Sequence, residues 1–160
     1  MDDRAYIGIL TTSLEEKTKV LDGLLEETLK QEEALAGETF DEAGFEASFA
    51  AKDKLLTRLE KLDEGFEEVY SHVSDELKER KDDYRAEIER LQELIADITR
   101  KSTSLQALEE SNRKRLQIVL SAGRKKIKDF RVSNKTAVAY YKNMAGTHQD
   151  GQSYFCDKKK

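Results

Sequence analysis

A chain of 160 residues with 28 Lys and Arg, 33 Asp and Glu and a formal net charge of −5 suits one domain or one elongated bundle. Leu, Ile, Val and Phe make up 37 residues, about 23%, just above the level at which so charged a chain stays unfolded, so the core must be thin. Proline is absent and strong helix formers dominate, which predicts an all-α fold. The longest uncharged run, residues 6–14, excludes a membrane span, and the lone Cys156 excludes an intramolecular disulfide, so a cytoplasmic protein is expected.

In chain order, residues 3–36 place Ile7, Leu10, Leu14, Leu21 and Leu29 at helical spacing, which predicts a first amphipathic helix. Ala36-Gly37-Glu38-Thr39 then offers a glycine suited to a left-handed helix end. Thr39 and Glu42 follow in the spacing of a capping box. From Phe45 to Phe130 an apolar stripe advances by threes and fours, with a mean step of about 3.5 residues, the period of a supercoiled helical seam. The stripe is interrupted at Lys52, Arg80, Ser102, Asn112 and Gly123. Two consecutive steps of three, from Leu56 through Leu59 to Leu62 and just before Phe66, shift its phase beside Asp63-Glu64-Gly65, which predicts a break or kink near Gly65.

One unbroken helix over that stripe would reach about 130 Å. Folding back is therefore expected, as an antiparallel up-and-down bundle of three long helices over residues 1–131. Residues 132–160 form a separate C-terminal segment with room for a short fourth helix near 132–144 and a tail from Gly146. Charge divides the same way: residues 1–112 sum to −15 and residues 113–160 to +10.

Chemistry finds little to work with. A di-iron site in a helical bundle needs Glu-x-x-His pairs, whereas His72 follows Glu67 and Glu68 by five and four residues and His148 stands in the tail. No phosphate loop, nucleophile elbow or Cys/His pair occurs, so no enzyme, cofactor or metal is expected. Arg113-Lys114-Arg115 and Arg124-Lys125-Lys126 with Lys128 lack interleaved aromatics, and nucleic-acid binding is not expected. What remains is a surface for helices. In VSNKTAVAYYKNM, residues 132–144, Ala137, Val138, Tyr141 and Met144 share a helical stripe with Tyr140 beside it. Tyr and Met suit adaptable protein contacts. With Ile127, Phe130 and Val132 these residues form the candidate partner-binding element.

The stretch Leu62-Asp63-Glu64-Gly65-Phe66-Glu67 with Val69-Tyr70, the later Leu105-Gln106-Ala107-Leu108-Glu109-Glu110-Ser111-Asn112, and the ending from Arg131 through Tyr140-Tyr141-Lys142-Asn143-Met144 to Asp157-Lys158-Lys159-Lys160 resemble FlgN-type flagellar export chaperones of Gram-positive, clostridia-like bacteria. The resemblance implies a cytosolic chaperone of flagellar type III export that holds hook-associated proteins by their helical terminal segments. Substrate contact would fall at roughly residues 127–144. Export apparatus components are a further implied partner class, and the chain would be a monomer or weak dimer. A structural coiled-coil adaptor or homodimer, whose seam is satisfied by itself, is the competing reading.

Overall fold

A computed structural model describes residues 2–123. The order is α1 (Asp3–Ala36), α2 (Glu42–Glu79), a single 3-10 turn (Lys81–Tyr84) and α3 (Arg85–Gly123), with no strand among the described residues. At about 1.5 Å per residue each helix runs about 50–60 Å. The expected all-α bundle of three long helices is what forms. The expected division at residues 131 and 132, the short helix near 132–144 and the tail all lie outside the described residues.

The first turn falls where expected but is built from different residues. Gly37 is extended, at φ −71° and ψ 167°, rather than left-handed, so the position does not require glycine. The N-cap of α2 is Asp41, one step from the helix, and its carboxylate accepts the Gly44 amide at 3.0 Å. Thr39 is therefore not the cap and Glu42 is the first helical residue, because Asp41 offers an equally good acceptor closer to the orphan amides. Phe40, just before the cap, meets Phe45 edge-on at 5.7 Å, a hydrophobic staple that sets the angle at which the chain enters α2.

The second turn corrects the sequence reading. α2 continues through Gly65, an exposed position with no atom within 4 Å of where a Cβ would stand, and ends at Glu79. Helix hydrogen bonding and packing on both sides outweigh the modest cost of one interior glycine. The chain reverses instead at Arg80, with φ −118° and ψ 45°. Its amide donates to the Glu76 carbonyl at 2.9 Å, while its guanidinium spans Glu76 Oε1 at 2.7 Å and Asp83 Oδ2 at 2.8 Å. An arginine clip thus makes a turn that has neither glycine nor proline.

α1 is the central element, lying against both other helices, while α2 and α3 stay apart at the backbone. Ser13 donates to the Leu62 carbonyl and Gln31 accepts from Lys52, so α1 and α2 are antiparallel. Arg4 with Glu87, Glu15 with Arg90 and Asp22 with Lys101 advance together, so α3 runs parallel to α1. The stripe residues fill two apolar clusters. The larger runs from Ile7 to Leu105 and includes Leu21, Leu24, Leu59, Leu91 and Ile98, all fully buried. The smaller comprises Ala34, Leu35, Phe45, Leu116 and Leu120, at the end where α1 hands over to α2 and where the described part of α3 stops.

Candidate functional site

Between the two clusters lies a belt of buried polar side chains. Lys52 Nζ contacts Glu109 Oε1, a pair only 3% and 0% exposed, and donates to Gln31 Oε1 at 2.8 Å. Thr28 Oγ1 lies 3.2 Å from the same Glu109 oxygen and 2.6 Å from the Leu24 carbonyl, and Asn112 donates to the Thr28 carbonyl at 3.0 Å. Three atoms of this belt, Gln31 Nε2, Glu109 Oε2 and Asn112 Oδ1, have no hydrogen-bond partner among the described residues. Burial pushes the Lys52 ammonium down to about 7, with the Glu27 carboxylate pulling the other way. One layer further into the bundle, Lys17 is buried on the core stripe of α1 and reaches Asp63; burial lowers its pKa and the Asp63 carboxylate opposes that shift.

Spacing alone hid this belt, although Lys52, Ser102 and Asn112 had already interrupted the apolar stripe. All three interruptions are core positions, buried to 2%, 0% and 1% exposure. A polar residue inside a 3.5-residue seam reads as a gap until the neighbouring helices show what it pairs with. Chemically the belt is closed: its carboxylate is sealed from solvent and held by an amine and a hydroxyl, so it can specify the register of three helices but cannot meet a substrate.

Elsewhere the described surface carries a cleft of about 410 Å³ between the end of α1 and the start of α2, lined by Glu27, Lys30, Glu33, Asp41 and Ser48. No group of His, Cys, Asp and Glu that could hold a metal occurs among the described residues, and no described helix is long and apolar enough to cross a membrane. His72 stacks on Tyr6 at 5.2 Å, with the two rings 9° from parallel. Its role among the described residues is packing.

The eight predicted partner-binding residues, Ile127, Phe130, Val132, Ala137, Val138, Tyr140, Tyr141 and Met144, all lie outside the described residues. The smaller apolar cluster lies at the end of the bundle where the described residues stop, at Gly123. A bundle with a closed polar core and no catalytic or metal-binding cluster among its described residues narrows the question to which family builds one. The family model described as FlgN protein matches residues 1–147. This chain belongs to the FlgN family. Membership makes it a flagellar export chaperone, in a family of chaperones rather than of enzymes. No curated protein and no solved structure was found to match the chain.

Proposed function

We propose that this FlgN-family chain is a cytosolic chaperone for hook-associated subunits, which it holds by their helical terminal segments until export. The observation that carries the reading is the extent of the family match, which runs past α3 through residue 147 and so includes the Tyr- and Met-bearing segment. Among the described residues the bundle interior is filled by its own fully buried side chains, which favours a helix-to-helix grip by a terminal element. Tyr140, Tyr141 and Met144 are the anchors expected to dominate, since large side chains at the centre of an interface carry most of its energy. Premature assembly of the client is prevented because the surface it would use on its neighbours is covered.

The test is calorimetry with a purified hook-associated subunit. A Tyr140→Ala, Tyr141→Ala double variant should bind at least about tenfold more weakly, or about 1.4 kcal/mol, with helicity and melting temperature unchanged. Equal affinity in a folded variant would remove the binding role from this segment. Unfolding of the variant would place the tyrosines in the chain's own core.

A further inference from the structure

The cleft between the end of α1 and the start of α2 exists because α2 contributes little bulk to it. From α1 it is lined by Glu27, Lys30 and Glu33, each three residues on from the last, whereas α2 presents Gly44, Ala47 and Ser48. Long side chains opposite small ones leave about 410 Å³ unfilled. Gly44 has a specific part in this: a Cβ there would overlap Asp41 Oδ2, so glycine lets the cap carboxylate stay where it lines the cleft while its Oδ1 accepts the Gly44 amide at 3.0 Å.

The lining is acidic. Three carboxylates, Glu27, Glu33 and Asp41, stand against one ammonium, Lys30, for a net charge of −2. Lys30 donates to Glu27 at 3.0 Å, and its pKa is raised by that hydrogen bond and by the charges of Glu27, Glu26 and Glu33, so a cation of the chain's own is already stabilised here. Glu33 is exposed and in no ion pair among the described residues. α1 ends without a basic residue in its last turn, which leaves the negative end of its dipole uncompensated, while the positive start of α2 is already answered by Asp41. Ser48 adds a directional group. It is only 3% exposed, it lines the same cleft, and its hydroxyl meets no hydrogen-bond partner among the described residues. A buried hydroxyl that faces a cleft is satisfied by a donor entering that cleft.

No group of His, Cys, Asp and Glu among the described residues could hold a metal ion, so the cation that fits is a long organic one. A guanidinium brings five N–H donors in a planar fork, sheds water more readily than an ammonium, and carries an apolar stem that suits Ala34 and Ala47. We propose that this cleft is a docking site for an arginine side chain of a basic protein partner, with the guanidinium facing the Glu33 and Asp41 carboxylates and the Ser48 hydroxyl. The site is separate from the segment proposed to grip hook-associated subunits and does not depend on it.

Titration of the isotope-labelled full-length protein with the blocked peptide acetyl-Ala-Arg-Ala-amide at low salt, followed by amide chemical shifts, tests the docking. Saturable shifts centred on Ala34, Gly44, Ala47 and Ser48 are expected, with at least about tenfold weaker binding of the same peptide carrying citrulline, which keeps the shape and loses the charge. Ser48→Ala alters no charge and should weaken the arginine peptide at least about threefold. Glu33→Gln with Asp41→Asn, in which asparagine keeps the helix cap, should weaken it at least about tenfold at unchanged melting temperature. Equal affinity for the two peptides, shifts spread over other acidic positions such as Glu60 and Glu67, or an affinity unchanged in Ser48→Ala each overturns the proposal. Calcium chloride reproducing the same shifts at the same concentration also overturns it, by assigning the cleft to a free ion.

Discussion

The two apolar clusters both rest on leucines and draw on the same three helices, yet they are not equivalent. The larger, from Ile7 to Leu105, is continuous through about two thirds of the bundle and holds most of the fully buried leucines. The smaller, around Phe45, Leu116 and Leu120, is cut off from it by the belt of Thr28, Gln31, Lys52, Glu109 and Asn112. Buried polar side chains that interrupt an apolar core predict that the two clusters differ in local stability, with the smaller one closer to opening. The smaller cluster lies at the end of the bundle where the described residues stop, ahead of the segment proposed to bind partners.

The largest effect should come from breaking the belt from one side. Glu109→Ala leaves the Lys52 amine buried against an empty site and should cost about 3–5 kcal/mol in urea denaturation, whereas Lys52→Met with Glu109→Leu should fall within about 1 kcal/mol of the natural protein or exceed it. If the double variant also gains protection from hydrogen exchange at residues 113–123, the belt is what had kept the two clusters apart.

Core truncations sharpen the contrast. Leu21→Ala, in the larger cluster and fully buried, should cost about 3–4 kcal/mol, while Leu120→Ala, 1% exposed but in the smaller one, should cost about half that, because the end of the bundle relaxes around a cavity more readily. Equal losses would mean that the clusters unfold as one unit.

A pH series reads the belt in another way. The Lys52 ammonium falls from 10.5 to about 7 in the fold. Between those values the unfolded chain binds a proton that the native protein lacks, so stability rises with pH through that window, and below about pH 7 the full cost of burying the charge is present. The natural protein should gain up to about 3 kcal/mol from pH 7 to pH 9 relative to Lys52→Met. A constant difference between the two would place the native Lys52 charge outside that window.

The smallest effect concerns Gly65. Since α2 passes through it with space for a Cβ, Gly65→Ala should stabilise by about 0.5–1 kcal/mol. Destabilisation in thermal melts would restore the kink that the stripe's phase shift had suggested.

The sequence by itself determined the helical class, the seam, the absence of a membrane-crossing helix among the described residues, and the first turn, because helix propensity, a 3.5-residue period and a cluster of turn residues are local properties that survive in one dimension. It also carried the family, through stretches spread over most of the chain. The second turn was not legible as such: Arg80 appeared only as an interruption, since a turn made by a guanidinium gripping Glu76 and Asp83 leaves no glycine or proline behind, while the glycine that looked like a break sits inside a helix. The identity of the cap was likewise decided by which carboxylate reached the Gly44 amide. Above all, only the tertiary structure could turn the polar interruptions Lys52 and Asn112 into core residues, because their partners lie 57 and 84 positions away and a buried charge is tolerable only where another helix brings its counterpart into contact.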